Sequence, residues 1–280
     1  MRIYSCTRGN TTRLQGVFMK KLLNVIAVSF LIGSVFSSCA SVEKAEPKKV
    51  DAPVTVSFPS QDGLPVTADM YMPYGNDAPL ILLCHRANWS RGEYLEIAPK
   101  LNLLGFNAVA IDQRSGKTKN NVDNATKLAA ESAGKGTTYL DAVQDIQSAI
   151  DFASKLSEKK IILWGSSYSS SLGFTLVKSN SDKIAAYLAF SPGEYFADLG
   201  KAADWIATEA KDVKVPVFVT SRPSEKKDAQ PIFDAITQSD KTYFVPETDS
   251  KHGSQALYDA TEGNAASWKA VEAFLARFSK

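Results

Sequence analysis

Six short apolar runs separated by stretches of helical spacing constrain the fold of this chain more than any other feature. The runs are Leu80–Cys84, Ala108–Ile111, Ile161–Trp164, Ile184–Phe190, Val215–Val219 and Thr242–Val245. They are too short for helices and too continuous for half-exposed strands, so they read as strands buried on both faces. Between two of them, Leu140, Val143, Ile146, Ile150, Ala153 and Leu156 recur at spacings of three and four, which gives a helix with one buried stripe. The segments 94–104, 167–178, 197–210, 229–237 and 265–278 follow the same helical pattern. Strands alternating with helices imply an α/β class: a mostly parallel central sheet, helices on both faces, and ligands beyond the carboxyl ends of the strands. Ahead of these runs, Val54–Phe58 and Val66–Tyr71 alternate in period two around the turn 59–63, as an antiparallel hairpin at a sheet edge does. With 44% apolar residues, the stretch 54–280 is long enough to bury one large core as a single domain.

The first 53 residues follow a different logic. Met19-Lys20-Lys21, the uncharged apolar run Leu22 to Phe36 and the small residues Ser37-Ser38 before Cys39 have the layout of a signal segment over residues 1–38. Residues 1–18 precede the natural-looking start at Met19. The apolar run is shorter than the roughly 18 residues of a spanning helix. A cysteine directly after the small residues resembles a bacterial lipoprotein signal, with Cys39 as the lipidated residue; a plain secretory signal and an uncleaved anchor share the same layout. Residues 39–53, charged and proline-containing without hydrophobic period, suit a tether. The expected location is the bacterial cell envelope, lipid-anchored to a membrane, or periplasmic or secreted if Cys39 is not modified. Residues 1–38 hold five basic and no acidic residues, so the remaining chain has 27 basic against 30 acidic residues, a net charge of −3. The basic balance of the full chain therefore gives no reason to expect a nucleic-acid partner. Cys84 is the one cysteine beyond that region, which leaves no disulfide framework and no Cys/His cluster spaced for a metal.

Chemistry concentrates where the run Ile161–Trp164 ends. Gly165-Ser166-Ser167-Tyr168-Ser169 matches G-x-S-x-G at every position but the last. In that motif a strained strand-to-helix turn presents the serine, and the N–H of the next residue points into an oxyanion hole. Ser167 is the candidate nucleophile and the Tyr168 N–H a candidate donor; an ordinary loop with a serine helix cap would use the same residue types. A serine nucleophile needs a base and an acid that orients the base. His252, just beyond the last run, is the only histidine after the elbow and follows it in the required order. The acid belongs after Val215–Val219, where Glu225 is the first choice and Asp228 the competitor. A solvated helix start also favours acidic residues at these positions.

The strings Leu-Cys-His-Arg-Ala-Asn-Trp-Ser-Arg-Gly-Glu-Tyr (83–94) and Gly-Phe-Asn-Ala-Val-Ala-Ile-Asp-Gln-Arg-Ser-Gly (105–116), the elbow, and His252-Gly253-Ser254 carry a family likeness. Over residues 54 to 280 the chain resembles the dienelactone-hydrolase-like branch of the α/β-hydrolase superfamily. The resemblance implies the α/β-hydrolase fold, a structural His85, and a second oxyanion donor at the main-chain N–H of Ala87 or Arg86. Arg86 and Ser169 stand where such turns usually carry glycine, so both must accommodate a Cβ. Cys84 closes an apolar strand as a small buried residue. Asp112 and Arg114 fix the loop after their strand.

The function expected is a serine hydrolase that cleaves an ester of a small or acylated substrate through an acyl-enzyme, without a cofactor. The same scaffold serves peptidases and acyltransferases. It also serves a non-catalytic surface lipoprotein that binds a ligand at an aromatic rim of Trp89, Tyr168, Tyr195 and Trp205. The polar stretch 115–138 and the insert 193–212 are expected to flank the pocket as functional loops.

Overall fold

The computed structural model describes residues 52–279. The proposed signal segment, Cys39 and nearly all of the tether lie outside them. Among the described residues no helix is long and apolar enough to cross a membrane.

Eight strands form one sheet in the order β1-β2-β4-β3-β5-β6-β7-β8. They are β1 (Val54–Pro59), β2 (Pro65–Tyr71), β3 (Leu80–Cys84), β4 (Asn107–Ile111), β5 (Ile161–Ser166), β6 (Ile184–Phe190), β7 (Val217–Thr220) and β8 (Lys241–Phe244). β1 and β2 pair antiparallel from Val54 opposite Met70 to Pro59 opposite Pro65, and β2 is antiparallel to β4. The remaining pairs are parallel. The helices are α1 (Ile97–Leu103), α2 (Ala125–Ser132), α3 (Val143–Ala153), α4 (Tyr168–Ser179), α5 (Trp205–Ala210), α6 (Lys226–Ala235) and α7 (Asn264–Leu275).

The period-two alternation of side chains sorts the core into two layers. Leu80, Leu82 and Cys84 of β3 pack with Ile146 of α3, Leu172 of α4 and Ile232 of α6 on one face. Ile81 and Leu83 point the other way, onto Ile97 and Leu101 of α1 and Trp268 and Phe274 of α7. Each central strand is thereby buried on both faces, which is why its sequence reads as an unbroken apolar run; β8, expected to be buried likewise, is instead an edge strand with Thr242 exposed and its other residues half-buried.

The order has one reversal. From β3 the chain steps outward to β4 and then returns to β5 on the other side of β3, so the loops after β3 and β5 diverge and leave a crevice at their carboxyl ends. The elbow and the loop His85–Arg91 both fall there.

Three elements differ from the sequence pattern. The helix expected over 197–210 is interrupted at Gly200, whose φ of +78° ends a 3-10 turn at Leu199 before α5 begins. The helix expected over 94–104 starts later, as α1, and Tyr94 instead closes a 3-10 turn, Arg91–Tyr94. The polar stretch 115–138 contains α2, capped by the Asn124 carboxamide, which accepts from Lys127 N at 2.8 Å. Only Thr126 and Ala130 of α2 are buried, too few to produce a visible apolar stripe.

Arg114 pins the hairpin to the body of the fold. Its guanidinium is buried and pairs with Asp145 of α3 at 2.7 Å and with Asp62 of the β1–β2 turn at 2.9 Å, while Ser60 Oγ donates to Asp145 at 2.9 Å. Asp112 accepts from Arg91 N and Ala125 N and pairs with the Arg91 guanidinium at 2.6 Å. Both residues thus brace the loop after β4, as their position suggested.

Candidate active site

Ser167 sits between β5 and α4 with φ +60° and ψ −125°, a backbone region that residues with a Cβ rarely enter. Neighbouring main chain holds it there. Ser167 N donates to Phe190 O at the end of β6 (2.8 Å), and Ser170 N and Ser171 N return to Ser167 O. The turn closes tightly enough that a Cβ on Gly165 would stand 2.5 Å from Ser170 Cα. Gly165→Ala is therefore expected to destabilise the protein by about 1–3 kcal/mol, read as a lowered midpoint of thermal unfolding. The motif's second glycine position is filled by Ser169, which lies in α4 with ordinary helical geometry. Its hydroxyl accepts from Ser166 N (2.9 Å) and donates to Cys84 O (2.8 Å), tying the elbow to β3.

His252 follows β8. Its Nε2 is 2.7 Å from Ser167 Oγ and its Nδ1 is 2.7 Å from Glu225 Oε1. A carboxylate only accepts, so Nδ1 carries the proton and Nε2 is left to receive one from the serine. Glu225 ends the 3-10 turn Pro223–Glu225 after β7 and also accepts from Arg222 Nε at 2.6 Å. Burial raises the Glu225 carboxyl, but the hydrogen bond and charge of His252, and then the charge of Arg222, outweigh it and hold the group below the usual carboxylate range. Asp228, in the first turn of α6, is exposed and makes no hydrogen bond to His252. The loop carrying the imidazole is fastened by Gly253 N to Ser191 Oγ and Ser254 N to Ser166 Oγ, both 2.9 Å.

The Tyr168 N–H opens α4, where the first turn of a helix leaves its donors unused. In the loop after β3, Arg86 N is already engaged, donating to Glu93 Oε2 at 2.7 Å. Ala87 N makes no hydrogen bond within the described residues. Arg86 adopts an ordinary negative φ, so this loop takes a side chain where glycine is usual without strain.

His85 is buried. Its Nδ1 is 2.7 Å from Arg86 O, and its Nε2 accepts from Gln113 N (3.0 Å) and Asn124 Nδ2 (3.1 Å), a network that requires the neutral ring. Burial lowers its pKa to about 4. It is thus a structural knot between β3, β4 and α2. Cys84 is buried too, and burial pushes its thiol far above the range in which a thiolate forms.

The proposed aromatic rim needs a correction at Tyr168, which is buried, stacked on Tyr139 at 4.6 Å and hydrogen-bonded to Ser115 Oγ. Trp89, Tyr195 and Trp205 are partly exposed. The Tyr195 hydroxyl donates to Ser191 O beside Ser167. It lines a cleft of about 380 Å³ between the insert 193–212 and α6, with Glu194, Asp204, Lys227 and Asp228 on its walls. Among the described residues no group of three His, Cys, Asp or Glu side chains is arranged to hold a metal ion.

Solved structures share this architecture at low identity. An esterase from Pyrococcus furiosus superposes with a TM-score of 0.63 at 17% identity, covering 82% of this chain and 94% of its own. A dienelactone hydrolase from Anabaena variabilis gives 0.61 at 13%, covering 82% and 100%. An acylaminoacyl peptidase from Pyrococcus horikoshii gives 0.57 at 16%, covering 83% of this chain but 43% of its own. No curated protein sequence matches the chain. The fold is that of the α/β-hydrolases, and the family model described as "Serine aminopeptidase, S33" matches residues 75–277, so the chain belongs to this family of serine hydrolases.

Proposed function

We propose that the protein is a carboxylesterase-like serine hydrolase whose catalytic residues are Ser167, His252 and Glu225. The observation that carries the reading is the unbroken hydrogen-bonded chain from Ser167 Oγ through the His252 ring to Glu225, 2.7 Å at each link, on a nucleophile held at positive φ. His252 Nε2 takes the Ser167 proton as Oγ attacks the substrate carbonyl. The oxyanion is stabilised by the N–H groups of Tyr168 and Ala87, and Glu225 stabilises the imidazolium. His252 then gives its proton to the departing alcohol, and water attacks the acyl-enzyme by the same steps in reverse.

An ester rather than a peptide bond is favoured because the neighbours matched over nearly their whole length are an esterase and a dienelactone hydrolase, whereas the acylaminoacyl peptidase is matched over less than half of its own. Lipidation at Cys39, outside the described residues, would hold this activity at a membrane surface. A fluorophosphonate probe tests the nucleophile. The expected result is one adduct per folded chain, mapped by mass spectrometry to the peptide containing Ser167; folded protein that stays unlabelled would instead favour a ligand-binding role.

A further inference from the structure

Glu93 is fully buried and belongs to the 3-10 turn Arg91–Tyr94, outside the chain of groups from Ser167 to Glu225. Each of its oxygens receives one donor. Arg86 N donates to Oε2 and Ser166 Oγ to Oε1, both at 2.7 Å. Ser166 Oγ in turn accepts from Ser254 N at 2.9 Å. The packing around this relay leaves no slack, since a Cβ on Gly253 would lie 2.4 Å from Ser166 Oγ. One carboxylate therefore holds the residue before Ala87 and the residue before Ser167 directly, and the loop of His252 through Ser166.

We propose that Glu93 is a positioning residue: its ionised carboxylate clamps the oxyanion loop, the elbow and the histidine loop into one working geometry. The inference rests on the hydrolase reading given above. Ionisation matters because both partners are donors. A protonated Glu93 would direct its O–H at Ser166 Oγ, which already accepts from Ser254 N, and the Ser166 hydrogen would lose its acceptor.

Burial pushes Glu93 up to about 7, opposed by the bonds from Ser166 and Arg86 and by the charges of Arg86 and Lys119. The other titratable groups facing it are Cys84, Tyr94 and Tyr258, and burial keeps the proton on each. Glu93 thus titrates nearer neutrality than an ordinary carboxyl, while the buried thiol and phenols around it keep their protons.

The test uses the intact protein and p-nitrophenyl acetate. Glu93→Gln is the neutral isostere, with an amide that can donate to Ser166. It is expected to lower kcat about tenfold or more with KM within about twofold. The acid limb of log kcat against pH should become shallower than in the wild type, because the variant has no Glu93 carboxyl left to ionise. Ser166→Ala removes a donor to the carboxylate, so its acid limb should move to higher pH, by about one unit.

Wild-type kcat with an unchanged acid limb in Glu93→Gln overturns the clamp, as does an unmoved limb in Ser166→Ala. If Glu93→Gln does not fold, the Ser166→Ala limb decides alone. Should the wild type hydrolyse no ester and take no fluorophosphonate, the hydrolase reading falls separately. The clamp is then read from the carboxyl 13C resonance of Glu93, which must titrate near neutrality in the wild type and higher in Ser166→Ala; a resonance that titrates elsewhere, or that Ser166→Ala leaves in place, overturns it.

Discussion

Replacing Ser167 with Ala is expected to lower kcat for a short p-nitrophenyl ester by about 10⁴- to 10⁶-fold, with the midpoint of thermal unfolding nearly unchanged. On the proposed mechanism the residue contributes its Oγ to the reaction and little to packing, since the fold holds the elbow by main-chain bonds from Ser167 N to Phe190 O and from α4 back to Ser167 O. His252→Ala should cost as much. The double variant should be no worse than either single one, because a base without its nucleophile has nothing to deprotonate. Glu225→Gln should lose about 10³- to 10⁴-fold, since an amide can stabilise the wrong imidazole tautomer. Asp228→Asn, exposed and away from the ring, should stay within about twofold of wild type and serves as the control for the neighbouring carboxylate. Steady-state rates at saturating substrate separate these outcomes, and a Ser167→Ala protein that still turns over the ester by more than a trace removes the assignment.

The largest stability effect is expected away from the site, at Asp145. Its carboxylate is fully buried and takes Arg114 Nε, Arg114 Nη2, Arg114 N and Ser60 Oγ, so Asp145→Ala strips partners from a guanidinium that water barely reaches. Asp62, the other carboxylate on Arg114, is part-exposed and cannot compensate in the interior. Breaking one side of a buried pair costs about 3–5 kcal/mol, because the remaining charge stays desolvated. For a domain of this size that corresponds to about 6–20 °C in the unfolding midpoint, measured by differential scanning calorimetry. Replacing Arg114 and Asp145 together by apolar residues of similar volume should recover much of the loss, whereas a strictly additive double variant would contradict a burial-driven cost.

What was legible in the sequence depended on the physical range of each signal. The central strands were legible because burial on both faces writes itself as a local apolar run, and the elbow because a strand, a strained turn and a helix are consecutive in the chain. His252 and Glu225 could be named because the fold places both just past strand ends, a constraint on order rather than contact. Other roles depend on partners far away in sequence. Ser166 meets Glu93 across 73 positions and Ser169 meets Cys84 across 85, and neither residue type announces such a bond. Asp145 falls off the apolar stripe of its helix, between Val143 and Ile146, so the period shows neither that it is buried nor that Arg114 waits there. Tyr168 looked like an aromatic free to line a cleft because its exposure is decided by Tyr139 and Ser115 rather than by its own neighbours. α2 stayed hidden because its buried face is two small residues wide.

The elbow has a consequence for how activity is acquired. Ser167 is held in its unusual conformation by β6 through Phe190 O, by β3 through Ser169, and by the first turn of α4, so no fragment that lacks one of these pieces can present the hydroxyl in line with His252. A residue with a Cβ in this strained backbone region costs roughly 1–3 kcal/mol, which a loosely packed intermediate has no means to offset. The reactive geometry therefore depends on the assembled sheet and on α4 together. Any turnover at Ser167 would thus report on the integrity of the central sheet as well as on its own chemistry.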